Sequence, residues 1–169
     1  AFVAERIKKY YRRESVVIHP PVTMEDLEPE TEREDYYLAV GRLIPYKRFD
    51  LIVKAFNELQ LPLKIVGVGN QLKHLKKIAD RNIEFLGMVP EDELRAYYRF
   101  AKGFIFPQVE DFGITPLEAM SYGCPVIAYA KGGALETVSD LESGMFFNEQ
   151  TTDGLKKAVR DFESRKFDP

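Results

Sequence analysis

The chain has 169 residues, 24 of them Lys or Arg and 27 Asp or Glu, for a net charge of −3. That length suits one domain with its own core, and the near-balanced charge carries no nucleic-acid footprint. Cys124 is the single cysteine, so an intrachain disulfide is excluded; within the apolar run CPVIAYA it reads as a small buried hydrophobe. No apolar run reaches the roughly 18 residues that span a bilayer. The start shows no signal-peptide pattern, and cytoplasmic residence is the expectation.

Residues 2–13 place Phe2, Val3, Arg6, Ile7 and Tyr10 at helical spacing. An amphipathic helix opening a domain implies a partner that precedes it. Residues 15–22, SVVIHPPV, read as a short β-branched strand stopped by Pro20 and Pro21. The acidic run 25–35 reads as a solvated loop and makes a poor phosphate site. Strands at 36–40, 63–69, 83–87, 103–107, 125–129 and 144–147 then alternate with helices at 49–59, 71–79, 91–100, 116–122, 133–138 and 151–162. These strands are near-continuous apolar runs, as expected where both sheet faces are covered. The alternation predicts a doubly wound parallel α/β sheet. Ligands in such sheets bind beyond the carboxyl ends of the strands.

The first strand ends in GRLIPYK. Gly41 allows a tight turn, and Arg42 and Lys47 bracket a loop leading into a helix. Two cations beside a helix N-terminus make a diphosphate site; two solvated charges are the plain alternative. The second strand ends in GVGNQL, the start of a dinucleotide fingerprint that breaks at Leu72. Gly67 and Gly69 permit close backbone approach to a ligand, or serve only a turn. In GMVP, after the third strand, Met88 and Val89 offer a platform to a flat base, or a turn.

The fourth strand leads into PQVEDFGITPLE, the richest segment. Seven residues separate Glu110 from Glu118, with Phe112, Gly113 and Ile114 forming a turn between them. Thr115 is the predicted N-cap of the helix at Pro116. Free N–H groups here suit phosphate oxygens, and Glu118, one turn into the helix, can accept two ribose hydroxyls. Glu110 lies where a carboxylate would meet sugar hydroxyls. The alternative is two exposed acids and an ordinary helix start. Gly132 and Gly133 make a further turn. His74 reads as solvated and His19 as packing or linker. No metal-ligand spacing, Asp-x-Asp motif, Ser/His/Asp set or GxxxxGK[ST] loop occurs.

The ordered set GRLIPYK, IVGVG, FLGMVP, EDFGITPLEAMSYGCPVIA and GG-x-x-E resembles the family-4 retaining glycosyltransferases of the GT-B fold, from about His19 to the end. That resemblance implies two Rossmann-like domains in the whole enzyme, of which this chain is the C-terminal, nucleotide-sugar-binding one. Residues 1–18 would be the exit helix and linker from an N-terminal acceptor domain, and residues 19–169 the donor domain. It implies Arg42 and Lys47 on the diphosphate, and Phe112, Gly113 and Ile114 against phosphate and sugar. Glu110 would meet the transferred sugar, Glu118 the ribose, and Met88 and Val89 the base. No cofactor or metal is expected. The IHPPV linker resembles that of mannosyltransferases and favours GDP-mannose, with UDP- and ADP-hexoses open. The acceptor would be a glycan or lipid-linked, with peripheral membrane association through the absent half. Two rivals remain: a non-catalytic nucleotide-sugar-binding module, and a nicotinamide dehydrogenase.

Overall fold

The computed structural model describes residues 2–22, 32–165 and 167. The described part opens with helix α1 (Phe2–Tyr11), and its first strand is β1 (Tyr37–Val40). A 3₁₀ turn (Pro45–Lys47) precedes α2 (Phe49–Leu59). Then come β2 (Leu63–Val66), α3 (Leu72–Ile78), β3 (Ile83–Gly87), α4 (Glu91–Phe100) and β4 (Gly103–Phe106). The chain continues through α5 (Ile114–Ser121), β5 (Val126–Tyr129), α6 (Ala134–Thr137), β6 (Gly144–Phe147) and α7 (Thr152–Glu163). The strands form one parallel sheet in the order β3-β2-β1-β4-β5-β6.

Alternate side chains leave a strand on opposite faces. Tyr37, Ala39, Ile105 and Ile127 therefore join α2, α3 and α7 through Ile52, Phe56, Leu75, Leu155 and Val159. Leu38, Phe104, Phe106, Val126 and Ala128 face the other way, onto Tyr98 of α4, Ala119 of α5 and Ala134 of α6. Covering both faces explains why the strands are apolar throughout.

The order reverses direction between β1 and β4, and that reversal positions the site. β1 pairs with β2 along all four residues. Its pairing with β4 stops after Tyr37↔Gly103 and Leu38↔Phe104. The two central strands thus part toward their carboxyl ends, opening the crevice in which doubly wound sheets bind ligands.

Several expectations need correcting. Residues 15–22 form no strand: their backbone pairs with no neighbour in the sheet, and Val16 and Ile18 stay exposed. β-branched residues favour a strand only where a pleated surface receives them. The helix predicted at Pro116 begins at Ile114, with Gly113 as N-cap, so Thr115 lies inside the first turn and caps nothing. Gly113 turns the chain early in a left-handed conformation (φ 89°) that favours glycine. Pro116 is tolerated because first-turn N–H groups lack intrahelical partners. Of the acidic run, residues 25–31 lie outside the described part. Glu34 and Asp35 are exposed but anchored, through Glu34 N–H to the Phe100 carbonyl (2.8 Å) and Lys102 Nζ to Asp35 Oδ1 (3.1 Å). Among the described residues no helix is long and apolar enough to cross a membrane.

Candidate functional site

The crevice wall at β1 is built by glycines. A Cβ on Gly67 would lie 1.9 Å from the Gly41 carbonyl oxygen, and one on Gly69 would lie 2.3 Å from that of Leu43. Loops 41–43 and 67–69 run side by side, bonded by Gly41 N–H to Val66 O and Leu43 N–H to Val68 O, each 3.0 Å. Both glycines therefore serve this loop contact. Its product is an exposed Arg42 with no side-chain hydrogen bond or ion pair among the described residues.

The 3₁₀ turn was not anticipated, though Pro45 at its start is a signal for one. It brings Lys47 back across the crevice, where Lys47 Nζ forms an ion pair with Glu110 Oε1. Both side chains are about 20% exposed, and Lys47 is the partner of that otherwise unsatisfied carboxylate oxygen. The structure thus joins two residues that the sequence presents in separate motifs.

The Glu110 loop is held from two sides. The Gly132–Gly133 turn packs beneath it: Gly133 N–H donates to the Glu110 carbonyl at 2.8 Å. A Cβ on Gly133 would sit 2.4 Å from Phe112 Cα. Above, the His19 ring stacks on Phe112, with centroids 5.2 Å apart. His19 is therefore packing, as one reading of the sequence had it. Helix α1 also returns to this loop, through Arg6 Nη1 to Asp111 Oδ1 at 2.6 Å.

Glu118 faces a groove lined by Pro21, Val22, Leu94, Arg95, Ile114 and Tyr122 among others. Tyr98 donates its hydroxyl to Glu118 Oε2 at 3.0 Å. Burial, and then the Glu118 charge, hold that phenol well above its ordinary pKa, so it remains a donor. Tyr98 was missed from the sequence, yet a signal was there: Leu94, Tyr98 and Ala101 fall on one helix face, and a buried tyrosine hydroxyl usually finds a partner.

The backbone between the two carboxylates provides unpaired donors. N–H groups of the first turn of α5, at Ile114 and Thr115, have no intrahelical acceptor and sit at the positive end of the helix. Met88 is exposed and Val89 packs beside the Tyr98 cluster, but neither lines the Glu118 groove. His74 is exposed and Cys124 fully buried. Burial pushes the Cys124 thiol up to about 12. Among the described residues no three His, Cys, Asp or Glu side chains are grouped to hold a metal ion.

Residues 23–167 match the family described as glycosyl transferases group 1. The chain belongs to that family. It is 33% identical, over 73% of its length, to a GDP-mannose-dependent alpha-(1-6)-phosphatidylinositol monomannoside mannosyltransferase of Mycolicibacterium smegmatis, of which it covers 37%. Its fold is similar to that of a TarM mutant from S. aureus solved with fondaparinux, alpha-GlcNAc-glycerol and UDP. That TM-score is 0.83 at 16% identity, covering 95% of this chain and 35% of that one. The lipopolysaccharide outer core galactosyltransferase WaaB, in its apo form, gives a TM-score of 0.77 at 19% identity, over 90% of this chain and 48% of that one. The chain spans less than half the length of each.

As a group 1 glycosyltransferase, the chain is the Rossmann-like C-terminal domain of a GT-B fold. Among the described residues, the strand ends and the helix after β4 carry Arg42, whose side chain has no partner there, Lys47 held by a carboxylate, helix N-terminal amides, and a pre-oriented acid at Glu118. Cations and amides suit an anionic diphosphate; carboxylates that only accept hydrogen bonds suit hydroxyls.

Proposed function

We propose that this chain is the donor-binding half of a retaining glycosyltransferase that moves a hexosyl group from a nucleotide-sugar to a glycan or lipid-linked acceptor. The observation that carries this reading is the Lys47–Glu110 ion pair, which joins the loop after β1, where Arg42 also lies, to the loop after β4, with Glu118 facing a groove on the helix that follows. A diphosphate at the crevice mouth would take Lys47 and Arg42, with the α5 amides behind it. The transferred sugar would lie at Glu110 and the ribose at Glu118. GDP-mannose is the favoured donor, supported by the 33%-identical relative being a GDP-mannose-dependent mannosyltransferase.

The mechanism follows from charge. Breaking the bond between anomeric carbon and phosphate oxygen leaves new negative charge on the nucleoside diphosphate. Fixed cations and amides aimed at that oxygen stabilise the transition state without reorganising. Lys47 is neutralised by Glu110 in the ligand-free chain. Arrival of the diphosphate would draw the ammonium to phosphate and free Glu110 to accept from sugar hydroxyls.

Residues 1–18 belong in this reading to the connection with an N-terminal acceptor domain. The exposure of Tyr10, Tyr11, Val16 and Ile18 supports that. Alone, the chain binds donor but does not turn over, because closure of a two-domain cleft orients the acceptor and excludes water. The test is thermal stabilisation by a panel of GDP-, UDP- and ADP-sugars. Ligands that bind the folded state raise its apparent stability by mass action. The expected result is a shift with nucleoside diphosphate sugars, largest for GDP-mannose. No shift with any of them at millimolar concentration would reject the reading.

A further inference from the structure

We infer that Tyr98 is a positioning residue for Glu118: its hydroxyl selects which carboxylate oxygen is left to receive the ribose of the donor. This rests on the proposed assignment of Glu118 to the ribose.

The ring of Tyr98 is only 2% exposed. It lies parallel to Tyr122 (centroids 6.1 Å apart, planes at 1°) and against Phe104 at 5.7 Å. Those contacts need an aromatic ring but not a hydroxyl; phenylalanine would make them equally. The hydroxyl is buried polar surface that must be satisfied, and it is satisfied by Glu118 Oε2 at 3.0 Å. α4 thus reaches across to α5 at the residue that faces the groove. Within α5, Ser121 Oγ donates to the Glu118 backbone carbonyl, leaving the carboxylate itself to Tyr98.

A glutamate side chain has several rotatable bonds, and an unheld carboxylate samples many orientations. A ligand that needs one of them must order the group on binding. Tyr98 does that ordering beforehand. Its single proton occupies Oε2, so Oε1 and the remaining lone pair of Oε2 are the acceptors offered to vicinal hydroxyls. Because the phenol is held in its protonated form, the arrangement persists across the neutral and mildly alkaline range.

The test is calorimetric titration of the chain and its Tyr98→Phe variant with GDP and UDP, each beside its 2′,3′-dideoxy counterpart. Tyr98→Phe should weaken binding of the ribonucleotides about three- to tenfold, the range of one net hydrogen bond. The dideoxy nucleotides should be unaffected, since they have no hydroxyl for Glu118 to receive. Equal losses for both kinds would show a merely structural role, and unchanged ribonucleotide affinity would likewise overturn the proposal. If the unaltered chain binds ribo- and dideoxynucleotides equally, the ribose assignment of Glu118 itself fails. Should Tyr98→Phe not fold, 3,5-difluorotyrosine at position 98 keeps the ring and strengthens the donor. It should shift the ribo-to-dideoxy affinity ratio, and an unchanged ratio would overturn the proposal.

Discussion

Glu110 and Glu118 are the same residue type on either side of one turn, and the molecule holds them by different means. Glu110 sits on a loop, wedged by the Gly132–Gly133 turn and neutralised by Lys47. Glu118 rides a helix and is oriented by a buried, uncharged hydroxyl. An ion pair is a contact that another anion can compete for. A hydrogen bond from a fixed phenol keeps the carboxylate aimed. The comparison teaches that one carboxylate is held by a contact that an incoming anion would compete for, and the other by a contact that it would not.

The largest effect should come from breaking the support of Glu110. Gly133 has an ordinary helical φ of −62°, so Gly133→Ala costs nothing in backbone conformation. Its Cβ, however, would lie 2.4 Å from the Cα and carbonyl oxygen of Phe112. We expect a loss of about 3 kcal/mol or more, a fall in Tm of roughly 6–12 °C for a domain of this size. A Tm within a degree of the parent would show that the loop is not held from below.

Next come the two cations. Lys47→Ala and Arg42→Ala should each weaken nucleoside diphosphate binding roughly tenfold to a hundredfold, for a lost charge-assisted hydrogen bond. Their stabilities should differ. Lys47→Ala strands a buried Glu110 oxygen, at about 1–3 kcal/mol, whereas Arg42 is exposed and its loss should leave Tm alone. Calorimetry beside thermal melts separates the two, and equal melting losses would erase the distinction.

The Glu118 end should carry part of the alkaline sensitivity, beside buried Tyr37 on the opposite face of the sheet. Tyr98 and Cys124 share its core, and burial raises both pKa values. A raised folded-state pKa gives stability that is complete below the unfolded value and declines as pH rises through the folded one. For Cys124 that window runs from 9.0 to about 12. Stability should fall from about pH 9 upward, and Cys124 should resist thiol reagents at pH 8 until the chain unfolds. Rapid labelling of the folded protein would contradict this.

The smallest expected effects concern helix starts. Thr151 Oγ1 accepts from Gly154 N–H at 3.0 Å and caps α7. Thr151→Ala should cost about 1 kcal/mol, and Thr115→Ala, inside the first turn of the Glu118 helix, less than about 0.5 kcal/mol. Chemical denaturation resolves the pair, and reversed magnitudes would restore Thr115 as a cap.

The sheet was legible in the sequence because its strands are apolar runs between turn residues, and α4 and α2 were legible to their ends. The strand-end rule also pointed to the loops that carry Lys47 and Glu110, which the structure pairs. What escaped was set by tertiary contact. Residues 15–22 have strand composition, but only a neighbour makes a strand. The left-handed conformation of Gly113 overrode the capping pattern at Thr115. The Lys47–Glu110 and Tyr98–Glu118 contacts join separate elements, and no local spacing encodes them. For Gly67 and Gly69 the sequence left ligand approach and a plain turn both open, because their use against Gly41 and Leu43 appears only once β1 and β2 lie side by side.

The central claim is that the donor lies across this crevice with its ribose at Glu118 and its sugar at Glu110. Its most direct test is calorimetric titration of Glu118→Ala and Glu110→Ala with GDP and with GDP-mannose. Glu118→Ala should weaken both ligands about tenfold, as loss of a charged acceptor implies. Glu110→Ala should weaken GDP-mannose while leaving GDP binding unchanged, or tighter because Lys47 is released. Equal losses of GDP affinity in the two variants would contradict the account.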